Sequence, residues 1–246
     1  MKSKKIRMSI EEFETMSHPF GWKAEYWDNH AHFSPREHIV KTRVVLKPQA
    51  LMGAFKVMPV SESLVEQMIE AFFESFRNSV EFCNWPESEI RLHAQKNING
   101  YFQGSRGKPL PASVMVMKPN TNQVVGLALF LENREGHAEL DLLYVVPSYQ
   151  RKGIATQMVA SAANILYNQG LQTLYSAYHI CNEGSRNWQH SFGFVEILDP
   201  FYCRLKYAWY SHEIWRRERL GINEDVSELE TEKDRWYSQL TDDWRY

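Results

Sequence analysis

One stretch constrains this chain more than any other: Ala138-Glu139-Leu140-Asp141-Leu142-Leu143-Tyr144-Val145-Val146-Pro147, followed within three residues by Gln150-Arg151-Lys152-Gly153-Ile154-Ala155. The first ten residues have the length, apolar content and closing proline of a buried strand. The next six read as a tight turn that opens a helix. Ile154, Met158, Val159, Ala162, Ile165 and Leu166 recur at helical spacing, which predicts a helix over 152–168, and Gly170 stops it. A buried strand feeding a helix in this way commits the chain to an α/β architecture. It also specifies chemistry. Gly153 has no Cβ to hold the backbone away from a ligand. The free N–H groups and positive dipole end of the helix start form an anion site suited to a pyrophosphate. Arg151 and Lys152 add charge-assisted contacts.

The rest of the chain supplies a sheet for that unit to join. Residues 22–34 read as a hairpin, Lys23 to Trp27 and His30 to Phe33 joined by Asp28-Asn29. A third strand is expected over 38–46. This front segment has few large aliphatic residues and is expected to pack against the next domain rather than to build its own core. Residues 55–60 read as a strand. A helix is expected to start at Ser63, with Glu66 at capping-box spacing and an apolar stripe from Leu64 to Phe76. A second helix follows Pro86 through Ile90, Ala94, Ile98, Tyr101 and Phe102, and 104–111 reads as a loop. Strands over 113–118 and 123–131 flank the turn Pro119-Asn120-Thr121-Asn122. Beyond the 152–168 helix come a strand over 171–180, a short helix over 183–191 and an expected final strand over 202–210. Residues 214–221 and 223–246 look helical, with Leu229, Trp236, Leu240 and Trp244 on one face, either a docked helix or a dimer contact.

The organisation expected is a β-rich extension over 1–50, a principal domain over 51–210 and a charged helical tail over 211–246. Hydrophobic content of 43% and charged content of 24% are ordinary for a soluble globular protein. A net charge of −2 gives no reason to expect nucleic acid as a partner. Cys83, Cys181 and Cys203 are odd in number and show no C-x-x-C spacing, which points to a reducing compartment rather than to disulfides or zinc. No apolar run is long enough to span a bilayer, and the basic N-terminus lacks an apolar signal core, so no membrane association and a cytoplasmic location are expected. His30 and His32 alternate onto one strand face near His38. Without a diagnostic ligand spacing they read as structural, and no metal is expected.

Gln150, Gly153 and Ala155 fill the three fixed positions of a Q/R-x-x-G-x-G/A motif, and the stretch resembles the acetyl-CoA-binding motif of the GCN5-related N-acetyltransferases. A second segment, Asn182-Glu183-Gly184-Ser185-Arg186-Asn187-Trp188-Gln189-His190-Ser191-Phe192-Gly193-Phe194, is similar to that family's N-x-x-[AS]…G-F segment. The resemblance covers about residues 51–205. It implies a mixed, mostly antiparallel twisted sheet flanked by helices. Acetyl-CoA is implied as co-substrate, with Gln150, Arg151, Lys152, Gly153, Ile154, Ala155 and Thr156 around its pyrophosphate. Asn182 and Ser185 would lie along its pantetheine arm, and the backbone of Tyr144, Val145 and Val146 beside the thioester. The implied reaction is acetyl transfer to a primary amine by direct attack in a ternary complex. The alternative is an acyl-CoA-binding protein of the same fold without the chemistry.

Attack by an amine needs a base, because a lysine-like amine is protonated below a pKa of about 10. Glu139 lies where histone-type members keep a glutamate and is the first candidate. Asp141 is the second, two residues on and so expected on the same strand face. Two acids on one face of an apolar strand would be costly in a sealed core, which places them at a cleft. The sequence departs from the family where many members carry a tyrosine acid, since Gln189 stands there. Tyr178, His179 and His190 are the remaining acid candidates. The aromatics Phe20, Trp22, Tyr26, Trp27 and Phe33 read chiefly as packing residues. The amine acceptor itself, the length of the acyl group and the oligomeric state, with a homodimer one option, are not specified.

Overall fold

The computed structural model describes residues 3–51, 53–119, 121, 123–222 and 225–240. The front of the chain forms β1 (Lys4–Arg7), α1 (Ile10–Thr15), β2 (Trp22–Trp27), β3 (His30–Pro35) and β4 (Ile39–Val45). The middle forms β5 (Val57–Pro59), α2 (Val65–Phe76), α3 (Glu87–Phe102), β6 (Lys108–Pro109), β7 (Val114–Met117), β8 (Val124–Glu132) and β9 (Ala138–Val145). After these come α4 (Ile154–Asn168), β10 (Thr173–His179), α5 (Glu183–Phe192), β11 (Val195–Glu196), α6 (Pro200–Arg219) and α7 (Ser227–Ser238). The chain divides into two compact units, one of residues 1–40, 179–183 and 197–246, the other of 41–178 and 184–196.

The first unit joins the front of the chain to its last helices. Its antiparallel sheet has the order β1-β3-β2. Asp28 and Asn29 connect β2 to β3 with φ of +52° and +55°, as a type I′ turn requires. Only one sheet face is buried, through Ala31 and Phe33, whereas Trp27 on the other face is exposed, so the buried face needs a second layer. The helices supply it: Phe20 packs edge-on to Tyr202 and Trp209 of α6, and Tyr202 packs edge-on to Trp236 of α7. Trp236 and Leu240 are buried, whereas Trp244 lies outside the described residues.

The second unit is a mixed sheet in the order β11-β4-β10-β9-β8-β7-β5, with β6 beside β8. β11 pairs antiparallel with β4, as do β5 with β7, β6 with β8, β7 with β8 and β8 with β9, while β10 runs parallel to β9. Helices cover both faces. Tyr144 donates its hydroxyl hydrogen bond to Met68 O on α2 at 2.7 Å. Gly126, which pairs with the next β9 residue Val145, faces Ile154 and Met158 of α4. Neighbouring strand residues point to opposite faces, so α2 and α4 lie on opposite sides. Phe72, Met115, Leu127, Phe130, Ile154 and Met158 are fully buried between these layers.

Two local expectations are corrected. No capping box forms at Ser63: a 3-10 turn over Glu62–Leu64 leads into α2, and the Ser63 hydroxyl lies 2.8 Å from that of Ser61. Residues 202–210 are helical rather than a final strand. Asp199 caps them by accepting a hydrogen bond from Tyr202 N at 2.9 Å, with Pro200 at the first helical position. The place beside β10 is filled by β4 from the front of the chain. β11, only two residues long, pairs with β4 through Val195–Arg43 and Glu196–Thr42.

Candidate functional site

The turn that opens α4 has the conformation its sequence demands. Arg151 has φ +58° and Gly153 φ +77°, and both are exposed. The first intrahelical bond runs from Gln157 N to Gly153 O at 2.9 Å. The N–H groups of Ile154, Ala155 and Thr156 therefore have no intrahelical acceptor and point out of the helix start. A Cβ built on Gly153 would meet nothing within 4 Å, so the space above the turn is open. The helix start is held onto the sheet from below. Ile154 is 1% exposed, and a Cβ on Gly126 would come within 3.1 Å of both Ile154 Cγ2 and Met158 Cε. Thr156 Oγ1 accepts a hydrogen bond from Trp188 Nε1 of α5 at 3.2 Å. Lys152 places its ammonium 4.7 Å from the Tyr149 ring centroid. Gln150 turns toward the strand, and its Nε2 donates to Val145 O at 3.0 Å.

β9 and β10 pair at Glu139–Tyr175, close to the start of both strands, and this is their one partner pair among the described residues. The ladder goes no further, so the later part of β9 has a free edge on that side. Which peptide groups face this edge depends on a bulge. Leu142 partners Leu129 and Leu140 partners Phe130, which leaves Asp141 as an extra residue. Val146 N donates to Val125 O at 2.9 Å, so in the alternating antiparallel pattern Leu142, Tyr144 and Val146 address β8. The N–H groups of Leu143 and Val145 point the other way, to the free edge. Of the three backbone positions expected beside a thioester, Val145 alone faces it. Tyr144 and Val146 face β8. The Tyr144 phenol is buried and bonded to Met68 O, and burial raises its pKa well above the ordinary tyrosine value.

The two acids have different surroundings. Asp141 is only 11% exposed and accepts two parallel hydrogen bonds from Arg106, Nη2 to Oδ1 at 2.6 Å and Nε to Oδ2 at 2.9 Å. Arg106 Nη1 also donates to Asn97 Oδ1 on α3. The Asp141 hydrogen bonds raise the guanidinium pKa despite partial burial. Glu139 is half-buried and accepts one hydrogen bond, from Asn133 Nδ2 at 3.1 Å. Asn133 is itself fixed, because its Oδ1 accepts from Glu135 N and His137 N, both at 3.0 Å. Glu139 partners Leu131, and the register puts it on the face covered by α2. Arg106, Asn97 and Asn133 carried no motif in the sequence. The one available signal was an isolated arginine inside the glycine-rich loop after α3.

Gln189 has a structural reason to be glutamine. It is 2% exposed, its Oε1 accepts from Thr42 Oγ1 at 2.6 Å, and its Nε2 donates to Ala177 O at 3.1 Å. It joins α5, β4 and β10 with its amide polarity satisfied at both ends. Tyr178 donates to Glu196 Oε1 at 3.1 Å, and His190 Nε2 lies 2.5 Å from the same oxygen. Burial pushes the Glu196 pKa up, but its bonds with His190 and Tyr178 outweigh this and leave it lowered. Asn182 lies in the turn after β10, its N–H donating to His179 O at 2.7 Å, and Ser185 stands in the first turn of α5.

The expected structural histidines have structural neighbours. His32 stacks on Trp27 at 3.4 Å, His30 Nδ1 lies beside Asp28 O, and His38 Nε2 lies 3.2 Å from Asp199 Oδ2. Among the described residues no three His, Cys, Asp or Glu side chains are grouped to hold a metal. No helix among them is long and apolar enough to cross a membrane.

No curated protein matches the chain. Among solved structures it is similar to the PaiA N-acetyltransferase from Thermoplasma acidophilum in complex with coenzyme A. That similarity has 22% identity and a TM-score of 0.49, and covers 59% of this chain and 93% of that one. It is also similar to a GCN5-related N-acetyltransferase from Sphaerobacter thermophilus, at 13% identity and a TM-score of 0.49, over 79% of this chain and 57% of that one. The model of the acetyltransferase (GNAT) family matches residues 65–194, which span α2 through the end of α5 and contain the turn, the bulged strand and both acids. The chain therefore belongs to the acetyltransferase (GNAT) family.

Proposed function

We propose that this protein transfers the acetyl group of acetyl-CoA to a primary amine by direct attack within a ternary complex. The observation that carries this reading is the open turn at Arg151–Gly153, which continues directly from a strand whose Leu143 and Val145 N–H groups face a free edge. The turn suits a pyrophosphate, because its helix-start N–H groups have no intrahelical acceptor and two cationic residues, Arg151 and Lys152, stand in the same turn. The free edge suits a thioester, whose carbonyl oxygen gains negative charge during attack and is stabilised by a fixed peptide N–H. Acetyl-CoA supplies the activated carbonyl. The amine nitrogen forms the new C–N bond, the C–S bond breaks, and CoA leaves as thiolate. A thiolate whose conjugate acid has a pKa of about 8.5 is a tolerable leaving group without a dedicated acid.

Glu139 is the base in this reading, taking the ammonium proton directly or through one water. Asp141 is less suited, because both of its oxygens already accept from Arg106. The test is free-thiol release from acetyl-CoA across a panel of small amines, polyamines, aminoglycosides and peptide amines. Release that depends on one amine class supports the proposal and identifies the acceptor. A second reading, a binding protein without turnover, is favoured by the fully engaged Gln189 where an acid would stand. It requires CoA to stabilise the protein while no amine releases thiol.

A further inference from the structure

The bulge in β9 determines which peptide groups reach the free edge. Glu139 addresses β8 in its pairing with Leu131. Strict alternation from there would turn Asp141, Leu143 and Val145 toward β8 as well, and would present Leu142 and Tyr144 to the free edge. The extra residue at 141 reverses the phase, so that Leu143 and Val145 face outward instead. A bulge interrupts the ladder and leaves its extra residue without a backbone partner on the neighbouring strand. Something else has to hold it. Here that residue is an aspartate gripped by a guanidinium in fork geometry, and the same guanidinium is tied to Asn97 on α3. Two parallel N–H···O bonds fix the carboxylate plane as well as its position, which a lysine ammonium does not do.

We infer that Arg106 is a positioning residue for acyl transfer: by clamping Asp141 it holds the β9 bulge in the phase that turns the Leu143 and Val145 N–H groups to the free edge, where one of them donates to the acyl carbonyl. The inference rests on the proposed function for what occupies the free edge, but it is tested without turnover.

The first measurement is the infrared carbonyl stretch of acetyl-CoA, labelled with carbon-13 at the acetyl carbonyl and bound to the protein. A peptide N–H donating to that oxygen moves the stretch below its value in water. The wild-type protein should show this shift. Arg106→Met removes the fork while keeping the chain length, and Asp141→Asn removes the charge-assisted pair while keeping the bulge residue. Both should return the stretch toward the aqueous value, with acetyl-CoA affinity within about twofold of wild type. Arg106→Lys should behave like Arg106→Met, because charge without the fork does not fix the plane. In a turnover assay, the Arg106→Met and Asp141→Asn variants should lose about 10²-fold in kcat with little change in KM for acetyl-CoA, as expected for reacting groups held out of register. An unshifted carbonyl in the wild type overturns the inference, as does a shift that survives both variants. Loss of acetyl-CoA binding in both also overturns it, by making the pair a structural element only. A shifted carbonyl with no thiol release for any amine leaves the clamp standing and removes the transferase reading instead.

Discussion

A side chain at position 153 would have room, since a Cβ there meets nothing within 4 Å, yet the backbone lies at φ +77°. An L-residue held there costs roughly 1–2 kcal/mol. Two substitutions separate conformation from ligand recognition. Gly153→Ala should lower stability by about 1 kcal/mol and still bind CoA, more weakly. Gly153→Glu pays the same strain and adds an anion where the helix-start N–H groups await a pyrophosphate, so CoA should no longer raise its melting temperature. Thermal unfolding with and without CoA reads both, and a normal CoA shift in Gly153→Glu would disprove the assignment of the turn. Glu139 is placed by the single hydrogen bond from Asn133. Glu139→Gln keeps that bond and removes the base. It should reduce kcat by about 10²-fold, within the range for general base catalysis, with CoA affinity unchanged. Full turnover in that variant would remove Glu139 from the mechanism.

At the scale of the elements, α4 can deliver its first turn to the site because β8 has no side chain beneath it. Gly126→Val would place atoms within reach of Ile154 Cγ2 and Met158 Cε, which already lie 3.1 Å from a bare Cβ. Overpacking of this kind costs about 1–3 kcal/mol, and each kcal/mol lowers Tm by roughly 2–4 °C in a chain of this size. Gly126→Val should therefore lose both melting temperature and CoA affinity, as the helix start lifts. Retained affinity at a lowered Tm would mean the turn does not depend on its floor. The turn and the helix were legible in the sequence, because Gly153, the 3.6-residue apolar spacing and Gly170 each leave a distinct mark. The bulge was not. Inserting Asp141 into Glu-Leu-Asp-Leu-Leu leaves an alternation that reads equally well as a regular strand, so the sequence pointed to Tyr144 and Val146 as much as to Val145. Arg106 was equally hidden, since its partner is 35 residues away and its loop has no pattern. The 202–210 segment misled for a different reason. Its aromatic residues suit a strand, and only the Asp199-Pro200 cap and the use of β4 beside β10 decide for a helix.

The whole molecule divides into two units, and each can be probed by itself. The second unit carries the proposed donor site, and the first is closed by residues from opposite ends of the chain. In the first unit the carboxylate of Glu213, on α6, is buried yet receives Arg216 Nη2 at 2.5 Å, Arg216 Nε at 3.0 Å and Arg217 Nε at 3.1 Å. The hydrogen bonds from Arg216 are the largest influence and, with Arg217, hold its pKa below the ordinary 4.5 against the upward push of burial. A carboxyl whose folded pKa is depressed contributes stability that is fully present above its unfolded value. That contribution declines once pH falls below about 4.5 and is gone when pH has passed through the lowered folded value. The first unit should accordingly lose stability in that acid window, with tryptophan fluorescence reporting it through Trp209, Trp215 and Trp236. Glu213→Gln removes the buried carboxylate that Arg216 and Arg217 share, so it should be less stable at neutral pH, and its stability should fall less steeply between neutrality and pH 3. The CoA-induced stabilisation of the second unit should remain at neutral pH in this variant. Equal acid slopes for the variant and the wild-type protein would show that protonation of Glu213 does not limit the first unit.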